Sequence, residues 1–374
     1  MPPISVLIKP ASGSCNMHCD YCFYRDEAEN RSTPSYGIMS EDTLKNVIRR
    51  TLPRAEGSVS YAFQGGEPTL RGLPFFEKAI RYQQQYNHKG VMVRNAIQTN
   101  GVLLDDDWCA FLHRNRFLVG LSVDGTRCTH EKYRHLNAGG SSFDAVLRAA
   151  GLLEKHGVEF NILTVINSDV ADNIEEIWEF YEKQGWVWQQ YIPCLEPLLE
   201  GPGNRSYSLS PEKYGDFLIR LFDLWKSSLM TTHPVSVRTF DNWVGILMGY
   251  PPEACDQCGK CSVQYVVEAD GSVFPCDFYV LDRWRLGNFN SDRIDAVDSG
   301  REKTGFLASS DRLHAKCGNC PHRDLCRGGC RRYRGMSGAE PGLNYLCPAF
   351  LTFFDARKDE MKALADELQK RKKA

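Results

Sequence analysis

Residues 14–24 read SCNMHCDYCFY and place three cysteines, Cys15, Cys19 and Cys22, at CxxxCxxC spacing. An iron–sulfur cluster is usually held by four cysteine thiolates, so three thiolates leave one position open for another ligand. The stretch follows an apolar run at residues 4–8 that predicts a strand, which puts the cysteines in a loop at a strand's carboxyl end. Two other interpretations are a zinc site with a distant fourth ligand and a set of unliganded thiols. We favour a metal site with an open position.

The overall composition is that of a globular protein. Of 374 residues, 42% are hydrophobic and 25% are charged, and the net charge of -2 provides no basic surface for nucleic acid. The first residues do not resemble a secretory signal, and no apolar run approaches the roughly 20 residues that cross a bilayer. We therefore expect a cytoplasmic protein with neither nucleic-acid nor membrane partners, in which the 15 cysteines serve as metal ligands rather than disulfides.

The first half of the chain alternates between strand and helix patterns. Six βα steps predict an α/β fold with a parallel sheet and right-handed crossovers. Six steps are too few for an eight-stranded barrel, so an open or partial barrel is expected. Ligands of such sheets bind beyond the carboxyl ends of the strands, where the sequence places the cysteine loop and several polar motifs. The predicted strands cover residues 4–8, 59–63, 91–98, 118–123, 159–166 and 186–192.

The CxxxCxxC stretch, with Tyr21 directly before its third cysteine, resembles the signature of the radical S-adenosylmethionine (radical SAM) superfamily. The resemblance implies a partial (β/α)6 barrel related to the TIM barrel. It also implies a [4Fe-4S] cluster on Cys15, Cys19 and Cys22, with SAM bound to the open iron.

Residues at the strand ends match positions that contact SAM in this superfamily. The GGEP motif at residues 65–68 follows the second strand and implies contact with the SAM amino group. A guanidinium can bind the SAM carboxylate through two parallel hydrogen bonds, which suits Arg134. Ser122 corresponds to a ribose contact and Leu195 to an adenine contact. The implied SAM-binding residues are Tyr21, Gly65, Gly66, Glu67, Ser122, Arg134 and Leu195. Ordinary turn, surface or core roles are the alternatives for these positions.

A second group of cysteines crowds the C-terminal third of the chain and resembles the SPASM domain of peptide-modifying radical SAM enzymes. The resemblance implies two further [4Fe-4S] clusters, so that the cofactors are three clusters and SAM. Zinc is the alternative, since four thiolates also suit zinc. Cys258 competes with Cys255 and Cys261 for two places, and the family pattern leaves it out. The implied ligand sets are Cys255, Cys261, Cys276 and Cys330 for one cluster, and Cys317, Cys320, Cys326 and Cys347 for the other.

Taken from its cysteine loop to Cys347, the chain resembles the anaerobic sulfatase-maturating enzymes. The resemblance implies oxidation of a cysteine or serine in a sulfatase peptide to Cα-formylglycine, begun when a 5′-deoxyadenosyl radical removes hydrogen from Cβ. Asp277, directly after Cys276, matches the proposed proton acceptor. Gln64 and Gln98 end neighbouring strands and are candidates for holding the peptide backbone. Alternatives are a thioether-forming or dehydrogenase-subunit maturase and a non-enzymatic zinc-binding adaptor.

The predicted domains are a barrel with a linker helix at residues 1–235, a SPASM domain with a β-hairpin at 236–347 and a C-terminal helix at 348–374. The expected partners are a sulfatase polypeptide and an electron donor such as flavodoxin or ferredoxin. We expect a monomer.

Overall fold

A computed structural model gives the fold of residues 3–337 and 340–373. The backbone forms two compact units, each assembled from three segments of the chain. The first unit comprises Met1–Val123, His130–Asn161 and Val263–Phe306; the second comprises Asp124–Thr129, Ile162–Ser262 and Leu307–Ala374. The predicted domain divisions after residues 235 and 347 stay a prediction.

The sheet of the first unit contains four of the six predicted strands in parallel. In hydrogen-bonded order they are Ile4–Ile8, Ser58–Phe63, Met92–Thr99 and Phe117–Ser122. Side chains along Ser58–Phe63 alternate between buried and half-buried, as expected where one face of a strand contacts the core. Phe63 packs on Phe76, with ring centroids 5.0 Å apart, and both rings are fully buried. Burial of each such ring stabilises the fold by about 1.5–3 kcal/mol.

The predicted hairpin near residue 270 extends this same sheet. Its first strand, Tyr265–Val267, pairs in parallel with Ile4–Ile8, and its second strand, Ser272–Phe274, pairs back in an antiparallel manner. Gly271 occupies the turn at φ 86°, a conformation that favours glycine. The short strand Gly287–Asn288 completes that edge. The hairpin thus covers the edge of the first strand, which would otherwise present unpaired backbone groups.

A separate two-stranded ribbon joins the cysteine loop to a later segment. Met17–Cys19 pairs antiparallel with Arg134–Leu136, and Cys19 lies opposite Arg134. Sequence patterns did not predict this ribbon, because each strand has only three residues.

Helices of the first unit begin at the signals that the sequence provides. Ser40 caps Glu41–Thr51 by accepting a hydrogen bond from the Thr43 amide, and Glu41 and Asp42 occupy the first turn, where acidic residues suit the helix dipole. The helices are Phe23–Glu29, Glu41–Thr51, Leu73–Tyr86, Asp106–Arg114, Ser142–Lys155 and Ile294–Thr304, with 3₁₀ turns at Leu52–Arg54, Pro68–Arg71, Asp277–Tyr279 and Asp282–Trp284. The helix Arg127–Glu131 crosses a boundary between the units.

The second unit contains the last two predicted strands, Phe160–Ile166 and Trp188–Pro193, in parallel, followed by the short strand Ser236–Val237. Phe222, Phe240 and Phe353 from three helices pack together, and all three rings are fully buried. Its helices are Ser168–Asp172, Ile174–Gln184, Pro211–Ser228, Arg238–Leu247, Arg323–Cys326, Arg331–Arg334 and Cys347–Lys373, with 3₁₀ turns at Cys255–Gln257 and Ala315–Cys317 and a strand pair Met336–Ser337 and Glu340–Pro341. None of the helices in the described part of the chain is long and apolar enough to span a membrane.

Candidate active site

The three-cysteine loop leaves the carboxyl end of the first strand, as predicted. Cys15 lies in the loop, Cys19 ends the ribbon strand and Cys22 precedes the helix Phe23–Glu29. All three side chains are half-buried and free of disulfides. The Asn137 side chain donates a hydrogen bond to the Cys15 backbone carbonyl oxygen at 3.1 Å. This bond links the loop to the residue that follows the ribbon strand Arg134–Leu136.

The surroundings of this loop shift the pKa values of two of its thiols. Burial raises the pKa of Cys15 to about 11, and the nearby Glu67 and Cys22 add to the shift. Burial also raises the pKa of Cys22, whereas Arg134 acts in the opposite direction on both thiols. A coordinated metal deprotonates such thiols outright. Three soft sulfur donors beside one arginine therefore fit the implied [4Fe-4S] cluster.

The described side chains do not form a site for a single metal ion. Over residues 3–337 and 340–373, no three His, Cys, Asp or Glu side chains converge closely enough to hold one ion.

Arg134 and Tyr21 lie together beside the cysteine loop. Arg134 donates a hydrogen bond to the Tyr21 hydroxyl at 3.1 Å, and both residues are buried. The Tyr21 ring packs edge-on against Tyr133, with centroids 6.4 Å apart. The structure thus brings two of the predicted SAM-binding residues next to the predicted cluster ligands.

Gly65 and Gly66 both approach other parts of the chain very closely. A Cβ on Gly65 would lie 2.6 Å from Lys9 Cε, and one on Gly66 would lie 2.1 Å from the Ser14 carbonyl oxygen. Their φ angles, 87° and 45°, also favour glycine. The Glu67 amide donates to the same Ser14 oxygen at 2.8 Å. The GGEP turn is therefore docked on the cysteine loop, and neighbouring protein already accounts for both glycines.

The Glu67 carboxylate is buried and fully used within the protein. Oε1 accepts hydrogen bonds from the Thr69 amide, the Thr69 hydroxyl and the Thr99 hydroxyl at 3.0, 2.6 and 2.8 Å. Oε2 accepts from the Asn100 amide at 2.8 Å. The Asn100 side chain then donates to Cys15 Sγ at 3.7 Å. Glu67 therefore ties the ends of two strands to the cysteine loop, a role that its sequence position did not indicate.

Asp277 lies at the start of a 3₁₀ turn, directly after Cys276, and is buried. Its Oδ2 accepts hydrogen bonds from the Tyr24 hydroxyl and the Gln64 side-chain amide, both at 2.6 Å. Within the described chain, Oδ1 has no hydrogen-bond partner. Burial raises the pKa of Asp277, although Lys9 and the two hydrogen bonds oppose the shift. Asp277 is thus a carboxylate with increased proton affinity and one oxygen that accepts no hydrogen bond within the described residues.

Four more charged side chains surround Asp277 in the first unit, and sequence reasoning missed all of them. The Lys9 ammonium is fully buried, 3.2 Å from Glu268 Oε1, 3.8 Å from Asp277 Oδ1 and 4.0 Å from Glu27 Oε2. Arg31 donates to Glu268 Oε1 at 3.0 Å. We call these five residues, Lys9, Glu27, Arg31, Glu268 and Asp277, the buried charge cluster. The only signal in the sequence is a lysine that directly continues a buried strand.

The pKa values within the buried charge cluster follow from burial and from opposite charges. Burial raises the pKa of Glu27 to about 8, against the attraction of Lys9. Burial would also raise the pKa of Glu268, but Lys9 and Arg31 together bring it below the usual value. For Lys9, burial favours the neutral amine, yet the surrounding carboxylates outweigh it and raise its pKa. At neutral pH Glu27 is therefore mostly protonated, whereas Lys9 keeps its positive charge.

Two predicted residues lie at neighbouring strand ends of the same sheet. Ser122 ends the strand Phe117–Ser122 and is buried, and Gln98 is half-buried near the end of Met92–Thr99. The other predicted amide, Gln64, is already committed to Asp277 and Tyr24.

In the second unit the C-terminal cysteines form two groups. Burial raises the pKa of Cys326 to about 12, and its charge couples to those of Cys347, Cys317 and Cys320. Burial likewise raises the pKa of Cys330 to about 12, with further contributions from Cys255 and Cys261. These groupings match one complete predicted ligand set and three members of the other. The fourth member, Cys276, belongs to the first unit.

The remaining cysteine of this region, Cys258, directs its thiol to the carbonyl oxygens of Ala254 and Pro252, at 3.5 and 3.8 Å. It thus already has acceptors in the protein, and its omission from the predicted sets stays a prediction.

Leu195, the predicted adenine contact, is buried just beyond the strand Trp188–Pro193. The backbone before it is held by the segment that carries the C-terminal cysteines: the Tyr333 hydroxyl donates to the Pro193 carbonyl, and the Tyr345 hydroxyl donates to the Cys194 carbonyl at 3.4 Å.

Comparison with known proteins agrees with this geometry. A family model described as the radical SAM superfamily matches residues 10–182, and the SPASM model, described as an iron–sulfur cluster-binding domain, matches residues 255–321. The chain is 43% identical over 356 residues to the cysteine-type anaerobic sulfatase-maturating enzyme of Clostridium perfringens (strain 13 / Type A), covering 95% of this chain and 96% of the relative. The chain belongs to the anaerobic sulfatase-maturating enzymes.

Other members of the anaerobic sulfatase-maturating enzyme family are also similar. The serine-type enzyme of Bacteroides thetaiotaomicron is 31% identical, with 98% of this chain and 92% of the relative covered. The solved structure of native anSMEcpe with bound AdoMet and Cp18Cys peptide superimposes with a TM-score of 0.92 at 42% identity, covering 98% of this chain and 100% of that one.

Membership in the anaerobic sulfatase-maturating enzymes confirms several predictions. The fold class, a radical SAM α/β fold followed by a SPASM domain, is confirmed. The protein is an enzyme of the radical SAM type, with three [4Fe-4S] clusters and SAM as its cofactors. A non-enzymatic zinc-binding adaptor has no support. The roles of individual residues stay predictions.

Proposed function

We propose that the protein oxidises a cysteine of a sulfatase polypeptide to Cα-formylglycine. The observation that carries the proposal is the buried Asp277, which Tyr24 and Gln64 hold through one oxygen while the other oxygen accepts no hydrogen bond within the described chain. The higher identity to the cysteine-type relatives, 43% against 31% for a serine-type relative, supports cysteine as the target residue. Relatives are also known with peptide bound.

The proposed chemistry divides between the cofactors and this chain. When bound, the cluster and SAM supply the one-electron chemistry that removes a hydrogen atom from Cβ of the target. Asp277 then accepts the proton from the target side chain, and a second electron leaves the substrate. The cysteine becomes a thioaldehyde, which exchanges sulfur for oxygen on hydrolysis and yields the aldehyde. The raised pKa of Asp277 suits a proton acceptor working near neutral pH.

The proposed ligands of the first cluster are Cys15, Cys19 and Cys22, and Arg134 would bind the SAM carboxylate beside them. The remaining proposed SAM contacts are Tyr21, Gly65, Gly66, Glu67, Ser122 and Leu195. The two further clusters would use the predicted ligand sets of the C-terminal cysteines and carry the second electron away. Gln64 and Gln98 would position the peptide. A flavodoxin- or ferredoxin-type reductant, a monomeric state and a cytoplasmic location complete the proposal.

The decisive experiment incubates the anaerobic, reduced enzyme with SAM and a cysteine-containing sulfatase peptide and measures the peptide mass. Conversion of cysteine to formylglycine removes about 18 Da, whereas forming a thioether bridge removes only about 2 Da and keeps the sulfur. A peptide that loses 2 Da with its sulfur retained would favour a thioether-forming maturase. An unmodified peptide, with SAM cleaved, would contradict the proposal.

The cluster assignment has its own test, the Cys15→Ala variant. Loss of one of only three ligands should abolish SAM cleavage, measured as 5′-deoxyadenosine released. Cys128→Ala, which removes an exposed cysteine outside every predicted set, is the matched control. Wild-type SAM cleavage by Cys15→Ala would show that the loop does not hold the cluster.

A further inference from the structure

Lys9 contacts the proposed proton acceptor but has no part in the proposed chemistry. Its ammonium lies 3.8 Å from Asp277 Oδ1, whereas Tyr24 and Gln64 donate hydrogen bonds to Oδ2. It also lies 4.4 Å from the centre of the Tyr24 ring, within the range of a cation–π interaction. Lys9 therefore touches both Asp277 and one of the two groups that hold it.

The aliphatic part of the Lys9 side chain is also held by its neighbours. It passes directly beneath Gly65, where any Cβ would collide with Lys9 Cε. The Lys9 amide donates to the Val267 carbonyl at 2.8 Å, which extends the pairing of the first strand with the hairpin. The backbone, stem and ammonium of Lys9 are thus all held in place. Because its rotamers are already restricted, Lys9 loses little further side-chain entropy when it fixes a neighbouring group.

We propose that Lys9 is a positioning residue that fixes the orientation of the Asp277 carboxylate. With the ammonium facing Oδ1, and Tyr24 and Gln64 bound to Oδ2, rotation about the Cβ–Cγ bond of Asp277 is opposed from both sides. Glu268 and Glu27 also pair with the Lys9 ammonium, at 3.2 and 4.0 Å, and Arg31 balances the charge of Glu268. The inference rests on the proposed function, because it assigns Asp277 the role of proton acceptor.

The test compares Lys9→Met, which keeps the stem and removes the charge, with Lys9→Arg, which keeps the charge. The measured quantity is formylglycine formed per 5′-deoxyadenosine released, with iron content as a check on folding. A misplacement of about 1 Å can cost a reacting group about a hundredfold, so we expect the ratio to fall at least about tenfold in Lys9→Met. Lys9→Arg should recover most of it. Lys78→Met, which removes another ion-paired lysine of the first unit, should leave the ratio unchanged.

The outcomes separate this inference from the proposed function. If the wild-type enzyme forms no formylglycine, the proposed function fails. If the wild-type enzyme is active and a folded Lys9→Met keeps its ratio, or Lys9→Arg is equally impaired, the positioning role is wrong. If Lys9→Met does not fold, the double variant Lys9→Met/Glu268→Gln takes its place. It removes one charge of each sign, so that Glu268 is not left as a buried charge without Lys9. Failure of both to fold would make Lys9 a folding residue only and overturn the inference.

Discussion

Two buried carboxylates of the first unit, Glu67 and Asp277, are bound by their surroundings in different ways. Glu67 accepts four hydrogen bonds that occupy both oxygens. Asp277 accepts two on one oxygen, and its other oxygen, which accepts no hydrogen bond within the described residues, lies 3.8 Å from the Lys9 ammonium. A buried carboxylate without a full set of donors costs stability, so proteins normally supply them. The surroundings of Glu67 thus use both of its oxygens for hydrogen bonds within the protein, whereas Asp277 keeps one oxygen for the proton transfer that we propose.

The largest expected effect is that of Asp277→Asn. Without a proton acceptor, formylglycine formation should fall by about a hundredfold to ten-thousandfold while SAM cleavage continues. Mass spectrometry of the peptide and chromatography of 5′-deoxyadenosine measure the two activities separately. Asp295→Asn, at an exposed position, is the control. Formylglycine formation at the wild-type rate would remove the distinction between the two carboxylates.

Glu67→Gln should show the opposite result. The variant replaces one carboxylate oxygen with an NH2 group, which cannot accept hydrogen bonds from the donors around it. The free energy of unfolding should therefore fall by about 1–3 kcal/mol. Chemical denaturation under anaerobic conditions measures this change. The formylglycine yield per SAM cleaved should stay constant, because Asp277 is untouched. A large loss of SAM affinity with stability unchanged would instead support the predicted contact between Glu67 and SAM.

Tyr24→Phe tests the donors around Asp277 one at a time. The variant removes one of two hydrogen bonds to Oδ2 but leaves the ring against Lys9. A hydrogen bond to a charged group contributes about 1.5–3 kcal/mol, and part of this is recovered through Gln64, so we expect about a tenfold loss of formylglycine formation. A loss as complete as that of Asp277→Asn would show that Tyr24 is itself essential to the chemistry.

The last prediction concerns Glu27 and the pH dependence of stability. Its pKa rises from 4.5 to about 8 on folding, so between these values the folded protein keeps a proton that the unfolded chain releases. Stability from this group is therefore fully present below pH 4.5 and is lost as pH rises through 8. Across this window the unfolding temperature of the wild type should decline more than that of Glu27→Gln. Parallel curves for the two proteins would place the Glu27 pKa near its ordinary value.

More of the fold than of the candidate site could be predicted from the sequence. All six strands and the main helices could be predicted, because apolar periodicity and capping residues such as Ser40 act locally. The partner of the hairpin could not be predicted, since Val267 pairs with Ile8 across most of the chain. The GGEP glycines were predicted to contact SAM; in the structure Lys9 and Ser14 approach them closely, and the contact with SAM stays a prediction.

The buried charge cluster shows why the rest was missed. Its members come from the first strand, the first helix and its end, the hairpin and the 3₁₀ turn at Asp277. Sequence reports that a residue carries a charge, but burial and partners depend on packing between distant segments. Lys9 and Glu268 each resemble ordinary surface residues until the fold places them 3.2 Å apart.

Because the ribbon pairs Cys19 directly with Arg134, the register of its two strands decides whether the two side chains lie on the same face. Successive side chains of a strand point to opposite faces, so a register shift of one residue would turn Arg134 away from the face it now shares, and a shift of two would restore it. Inserting one alanine within Arg134–Leu136 is thus far more disruptive than its size suggests. The face that Arg134 presents beside Cys19 therefore depends on the number of residues in this segment.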